Sequence, residues 1–143
     1  MDFQRLIELP AGFDALREEA EREGYRFLDR LVERWSGDAY REDRQATLWA
    51  MVTAHAIQAI GAQTEDEYDP SPAHRRIRHF YVAPSFRRSG VGRTLARHLI
   101  DHALNLAPRL HLRATHALST AFWDALGFQR VQRADRSHEL VRA

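Results

Sequence analysis

Cysteine is absent from the 143-residue sequence, and neither sign of charge is in clear excess. Without cysteine the chain has no disulfide, no thiolate metal ligand and no cysteine nucleophile, and we expect a cytoplasmic location. The 21 Lys and Arg residues are nearly balanced by 20 Asp and Glu residues. Because general nucleic-acid binders usually carry a marked basic excess, we expect no nucleic-acid partner.

Long apolar runs are also absent. No stretch approaches the length of a membrane span, and the N-terminus lacks the pattern of a signal peptide, so we expect no membrane partner. We find no repeat, low-complexity tract or obvious linker. The composition, 44% hydrophobic and 29% charged, is typical of a globular protein, and the length predicts a single domain over residues 1–143.

The first half of the sequence predicts strands around a pair of helices, which are interrupted at Gly24. The predicted elements are a strand at residues 3–9, helices at 13–20 and 27–35, and strands at 46–53 and 57–67. A turn near His55 joins the last two strands. Helix is the competing interpretation of both, because alanine is plentiful in them.

The second half alternates strands with helices. The predicted elements are a strand at residues 75–82, a helix at 91–106, a strand at 109–115, a helix at 119–127 and a terminal strand pair at 128–131 and 138–142. Strands lie both next to each other along the chain and on either side of a helix. The predicted fold class is therefore α/β, with a mixed sheet and helices on its faces.

Residues 80–100 join an apolar run, a glycine-containing turn and an amphipathic helix. Gly90 and Gly92 leave the backbone open where the helix begins, and a helix start offers unpaired N–H groups to an anion. Neighbouring arginines can add charge-assisted contacts to phosphate. An ordinary glycine turn is the alternative, and the spacing matches neither a P-loop nor a dinucleotide-binding fingerprint.

The combined pattern resembles the GNAT family of N-acetyltransferases. The acyl-CoA-binding motif of that family, Gln/Arg-x-x-Gly-x-Gly/Ala, is matched by Arg87, Gly90 and Gly92. A second match is FWDALGF at residues 122–128, which has the aromatic pair and the Gly-Phe of a later family helix. The resemblance is strongest over residues 77–131, and it implies a mostly antiparallel, twisted sheet with splayed strands.

This resemblance also implies an acetyl-CoA site, without a metal, in an opening between the strand ending near Val82 and the strand from Leu110. Backbone groups of the first strand pair with the pantetheine arm, and the turn amides hold the diphosphate. The cofactor-binding residues implied in this way are Phe80, Tyr81, Val82, Arg87, Arg88, Ser89, Gly90, Val91, Gly92, Arg93, His116 and Trp123.

The proton-transfer residues of the family are missing at their usual places. Counting every second residue back from Phe80 puts Arg78 and Arg76 where family members often carry a Glu or His as the general base. The same alternation directs His79 to the opposite face. Trp123 replaces the usual tyrosine acid. An indole N–H donates a hydrogen bond but does not deliver a proton at useful pH.

The acidic segment TEDEYD, residues 64–69, supplies the remaining catalytic candidates. Glu65 and Glu67 are predicted to attract a cationic amine or to accept its proton through a water, and Tyr68 is the candidate proton donor. A solvated acidic loop is an equally good interpretation, because charges are common at loop tips. Tyr40 is a candidate for the wall of the acceptor pocket.

The leading hypothesis is an acetyl-CoA-dependent N-acetyltransferase that acts on a primary amine of a small molecule or a protein, by direct attack in a ternary complex. The alternative is a non-catalytic acyl-CoA-binding or sensing module, because Arg78 and Trp123 occupy the proton-transfer positions. A nucleic-acid binder that uses the arginine clusters ranks last. Because exposed strand edges can pair with a second chain, a homodimer is one expected oligomeric state.

Overall fold

A computed structural model describes residues 3–37, 40, 44–53 and 56–143, so the turn predicted near His55 lies outside the described residues. Within them the chain forms seven strands, four α-helices and a 3-10 turn at Pro84–Phe86. In chain order the strands and helices are β1 (Phe3–Leu6), α1 (Phe13–Arg22), α2 (Phe27–Ser36), β2 (Thr47–Val52), β3 (Ile57–Glu65), β4 (His74–Val82), α3 (Val91–Leu106), β5 (Arg109–Leu112), α4 (Ala117–Ala125), β6 (Gln129–Arg130) and β7 (His138–Val141).

The strands form one sheet in the order β1-β2-β3-β4-β5-β7-β6. Neighbouring strands are antiparallel except β4 and β5, which run parallel because α3 connects them. The predicted mixed, mostly antiparallel sheet is confirmed, and the helix interpretation of residues 46–53 and 57–67 is wrong. Their alanines are buried in the middle of the sheet, where helices cover both faces.

Helices α1 and α2 cover one face of the sheet, here called the α1–α2 face, and α3 and α4 cover the other, the α3–α4 face. Leu28 and Leu31 of α2 pack on the first face with Leu48 and Ile60. The second core contains Met51, Ala59, Ile77, Leu95, Leu99, Ala103, Leu110 and Trp123. No helix in the described part of the chain is long and apolar enough to cross a membrane.

Strands β1 and β5 are shorter than predicted because their ladder partners end. Strand β1 stops at Leu6 rather than at residue 9, since Leu6 pairs with Leu48 near the start of β2. Strand β5 stops at Leu112 rather than at residue 115, since Leu112 pairs with His138, the first residue of β7. Strand ends were therefore set by partners that the local sequence does not contain.

A β-bulge interrupts β4 next to Gly61. Ile60 pairs with Tyr81 but Ala62 pairs with Arg78, so Gly61 faces two residues of β4, and one of them, His79, has a φ of 55°. A Cβ on Gly61 would lie 2.7 Å from the Leu99 side chain, so glycine is required at this close approach.

The bulge overturns the alternation that was predicted for β4. Ile77 and Phe80 both contact the α3–α4 core, while Arg78 and His79 both contact groups on the α1–α2 face. The prediction that His79 points away from the face of Arg78 is therefore wrong. The extra residue shifts the two-residue period by one, and periodicity alone does not reveal such a shift.

Candidate functional site

Strands β4 and β5 separate after a short stretch of pairing. In their ladder, residues 74–76 of β4 pair with residues 109–111 of β5. Beyond Arg76, no described strand pairs with that edge of β4. The edge from the bulge to Val82 therefore faces an opening between the two strands. An unpaired strand edge presents backbone donors and acceptors to an extended ligand.

The three predicted cofactor residues on this edge differ in where their side chains go. Phe80 and Val82 pack on the α3–α4 core, and Tyr81 is buried against the α1–α2 core. The Val82 carbonyl accepts a hydrogen bond of 3.1 Å from the Arg87 Nε. The side chains thus anchor the strand, while its backbone borders the opening.

The turn after β4 leads directly into the N-terminus of α3. Gly90 is the N-cap residue with a φ of 88°, Arg88 has a φ of 63°, and no side chain caps the helix. The first-turn N–H groups of Val91, Gly92 and Arg93 have no partner within the helix. Together with the helix dipole they form a place where an anion is favoured.

The two glycines of the turn serve different purposes. A Cβ on Gly90 would meet no atom within 4 Å, so its open surface and positive φ suit a turn that a ligand approaches. A Cβ on Gly92 would lie 2.8 Å from the Val82 side chain. Gly92 is buried, and it allows α3 to pack closely against β4.

The Arg87 guanidinium is held by Glu23 at the end of α1. Its NH1 and NH2 groups donate to the two carboxylate oxygens at 2.8 and 2.7 Å. These hydrogen bonds, opposed by partial burial, hold the pKa of Glu23 below its ordinary value. Arg88 and Arg93 are exposed and have no ion pair with another described residue, so they are the available cations at the turn. The Ser89 hydroxyl donates to the Phe86 carbonyl.

The other two predicted cofactor residues, His116 and Trp123, belong to α4 and its N-cap. His116 is exposed at the N-cap of α4, and its ring centroid lies 5.1 Å from that of Tyr25 in the α1–α2 connection. Trp123 is only 5% exposed and packs edge-on against Phe80 and Phe128. Its indole lies in the α3–α4 core, so its side chain offers little surface to a ligand, and its role in cofactor binding stays a prediction.

The acidic segment is not a free acidic loop. Glu67 accepts hydrogen bonds of 2.7 Å from both Arg34 of α2 and Arg78 of β4. Burial raises the pKa of the Glu67 carboxyl, but the two guanidinium groups outweigh it and hold the pKa below its ordinary value. Glu65 lies apart from this group and pairs with Arg44 at 3.5 Å.

Tyr68 lies beside Arg78, one of the two arginines that bind Glu67, and beside Arg76. Its side chain is 58% exposed, and the guanidinium groups of Arg76 and Arg78 lie 4.8 and 5.8 Å from its ring centroid. Of the three predicted catalytic residues, Glu67 and Tyr68 therefore both contact Arg78, whereas Glu65 lies away from them.

His79 and Tyr40 form a contact that the sequence did not predict. The Tyr40 hydroxyl lies 3.0 Å from Nδ1 of His79. Burial, reinforced by the nearby Arg78, Arg34 and Arg30, lowers the pKa of His79 to about 3. Burial also raises the pKa of Tyr40. His79 is therefore neutral at physiological pH, and no local signal pairs it with Tyr40, 39 residues away.

A buried polar cluster lies where β4, β5 and β7 meet, at the end of β4 far from the turn. His111 Nδ1 is 2.6 Å from Asp66, and His111 Nε2 is 3.2 Å from His74 Nδ1. In the described part of the chain, Asp69, His74 and His111 are the one group with three potential metal-ligating atoms close together. The Arg136 guanidinium, 3.2 Å from His111 and 3.4 Å from Asp69, already supplies positive charge there. We assign the cluster a structural role.

Comparison with known proteins agrees with this geometry. The model of the acetyltransferase (GNAT) family matches residues 10–128 of the chain. A provisionally assigned acetyltransferase from Exiguobacterium sp. 255-15 superimposes with a TM-score of 0.87 at 25% identity, covering 99% of this chain and 94% of the other. No curated protein matches the sequence significantly.

More distant structures show the same fold. An acetyltransferase from Streptococcus agalactiae 2603 has a TM-score of 0.75 at 15% identity, over 99% of this chain and 96% of the other. A provisionally assigned acyl-CoA N-acyltransferase from Klebsiella pneumoniae has a TM-score of 0.68 at 17% identity, over 99% and 97% of the two chains. Since the family model covers most of the chain, the protein belongs to the GNAT family of acetyltransferases.

Proposed function

We propose that this protein is an N-acetyltransferase that transfers the acetyl group of acetyl-CoA to a primary amine within a ternary complex. One observation carries the proposal: β4 leaves β5 after Arg76, so that the unpaired edge between the bulge and Val82 lies beside the uncapped N-terminus of α3. Membership of the family supports the same chemistry.

The residues present fit acetyl-CoA. The edge of β4 matches the alternating amides of a pantetheine arm, and the first-turn N–H groups of α3 suit a diphosphate. Gly90 leaves the surface of the turn open, and Arg88 and Arg93 add exposed positive charge.

Acetyl-CoA supplies an activated acyl carbon: a bond from the amine nitrogen to that carbon forms, the carbon–sulfur bond breaks, and the products are an acetamide, a free thiol and one proton. A backbone N–H between Phe80 and Val82 stabilises the developing negative charge on the carbonyl oxygen. Much of the acceleration comes from holding the two reactants together.

The described residues offer a candidate proton donor but no strong general base. Glu67 is a weak base, since Arg34 and Arg78 hold its pKa low, and it acts here by positioning those guanidinium groups. Tyr68 remains the proposed proton donor, because its side chain is exposed beside Arg78. The amine proton then passes to solvent water.

The test is release of free thiol from acetyl-CoA in the presence of amines, with calorimetry of acetyl-CoA binding in parallel. We expect micromolar to millimolar binding and turnover with at least one class among small amines, amino acids and peptides. Binding without turnover for every class would contradict the proposal.

That outcome would favour a second function, a non-catalytic acyl-CoA-binding module. The observation behind it is that His79 is buried against Tyr40, and Glu67 is already occupied by two arginines. No other described residue of β4 offers a free base next to the bulge. Turnover with any amine decides against this second function.

A further inference from the structure

Two guanidinium groups share a single carboxylate on the α1–α2 face of the sheet. Arg34 and Arg78 both donate to the same oxygen of Glu67 at 2.7 Å, and Arg34 also reaches the second oxygen at 2.8 Å. The Arg78 side chain is 13% exposed and that of Arg34 is 28% exposed. Water therefore screens this pair only in part.

The group carries an excess of positive charge. Arg34 and Arg78 contribute two positive charges against the one negative charge of Glu67. Asp66 also acts on Arg78, but it is paired with Arg76 at 3.6 Å. Arg30 of α2 adds positive charge near His79. Burial, and then repulsion from Arg34, lower the pKa of Arg78. An additional anion at this position would relieve that repulsion.

With the acetyl group held beside the bulge, as the proposed function requires, the excess charge lies on the path of the acceptor. The α3–α4 side of the bulge is filled, because Phe80 packs on Phe122 and Trp123 there. The α1–α2 side carries Arg78 immediately before the bulge at His79. An amine that reaches a carbonyl carbon held beside the bulge therefore passes the arginine pair.

We propose that the acceptor carries an acidic group, a carboxylate or another oxyanion, a few bonds from its amine, and that Arg34 and Arg78 bind this group. The inference rests on the proposed acetyltransferase function and names the substrate class of the same site. It also reverses the role predicted for the acidic segment: Glu67 orients two cations for an anion, and it does not attract a cationic amine.

The chemistry favours guanidinium groups for this task. Their planar donors match carboxylate and phosphate oxygens, and a pair of them can hold an anion from two directions. The exposed ring of Tyr68, which lies against Arg78, covers one side of this group. Simple alkylamines and polyamines, whose only charge is positive, are disfavoured at such a site.

Matched pairs of amines test the proposal. Amino acids whose amine lies several bonds from the carboxylate are assayed beside their carboxamides with saturating acetyl-CoA, and each rate is expressed per unprotonated amine, because the carboxylate also changes the amine pKa. We expect kcat/KM for the acid to exceed that for the amide by about tenfold or more, and KM for the acid to rise with added salt. Equal rates for acids and amides, or a preference for amides, would overturn the inference and leave the acetyltransferase function intact.

Arg34→Gln locates the anion. It is expected to raise KM for the acid by about 10- to 100-fold with little change for the amide, since it removes a charge-assisted hydrogen bond. Arg34→Lys should recover part of the loss. Arg97→Gln, on the exposed side of α3, is the matched control and should behave like the unmodified protein.

A binding measurement distinguishes failure of the anion site from failure of the acetyltransferase function. N-acetylated amino acids, the expected products, should raise the melting temperature of the unmodified protein more than that of Arg34→Gln, whereas N-acetylated amino amides should not distinguish the two. If no amine is turned over but the acids still show this difference, the acetyltransferase function fails and the anion site stands. If the difference is absent, the anion site is wrong.

Discussion

Arg87 and Glu23, 64 residues apart, form a two-pronged ion pair that ties the end of α1 to the turn before α3. The guanidinium also donates to the Val82 carbonyl, so one side chain connects α1, β4 and the turn. The arginine of the acyl-CoA motif therefore has a structural task in this chain, in addition to any contact with a ligand.

The first prediction concerns this ion pair. Glu23→Gln should lower the free energy of unfolding at pH 7 by about 1 kcal/mol or less, because both side chains are partly exposed. The folded pKa of Glu23 is below its ordinary value of 4.5, so its contribution is complete above pH 4.5 and is lost as the pH falls below it. Urea unfolding at pH 7 and pH 3 measures this. Glu21→Gln on the exposed side of α1 is the control, and a difference that persists at pH 3 would contradict the prediction.

The second prediction concerns the glycines. Gly92→Ala should destabilise the protein by about 1–3 kcal/mol, because the new Cβ would press on Val82. It should also weaken acetyl-CoA binding, since α3 is pushed away from β4. Gly90→Ala should cost about 1 kcal/mol through its positive φ. Gly37→Ala, where a Cβ makes only ordinary contacts, is the control for urea denaturation. Equal midpoints for Gly92→Ala and Gly37→Ala would rule out the packing role.

The third prediction concerns His79. Its pKa falls from 6.5 in the unfolded chain to about 3 in the folded protein, so the unfolded state binds the extra proton between these values. Stability is therefore complete above pH 6.5 and decreases as the pH falls toward 3, by up to about 1.4 kcal/mol per pH unit. His79→Asn, which keeps a polar group near Tyr40 but does not titrate, should flatten this slope. NMR of the His79 ring should show no protonation above about pH 4; a midpoint near 6 would refute the assignment.

The fourth prediction concerns the turn arginines. Arg88→Gln and Arg93→Gln should each raise the dissociation constant of acetyl-CoA by about 3- to 10-fold at low salt, and the effect should shrink as salt screens the charges. Calorimetry at two salt concentrations checks this. Arg97→Gln lies farther along α3 and should leave the affinity unchanged. Loss of affinity for Arg97→Gln alone would place the diphosphate elsewhere.

Much of the fold was readable from local sequence. The helix predicted over residues 91–106 has those bounds in the structure, because glycine, apolar spacing and the following proline all act within one stretch of chain. The strands at 46–53 and 57–67 were identified despite their alanines. The glycine turn before that helix was readable for the same reason, since its glycines and arginines are adjacent, and its role in acyl-CoA binding stays a prediction.

The sequence by itself determined the family, the sheet of mixed direction and the turn that suits a diphosphate, because these follow from patterns contained in short segments. Only the tertiary structure decided which face of the sheet His79 lies on and which side chains bind the Glu67 carboxylate. A single extra residue in β4 reversed the expected faces, and Arg34 reached Glu67 from 33 residues away. The acidic residues of the segment predict attraction for a cation, but in the folded chain two guanidinium groups hold the Glu67 carboxylate, so the charge around it is positive.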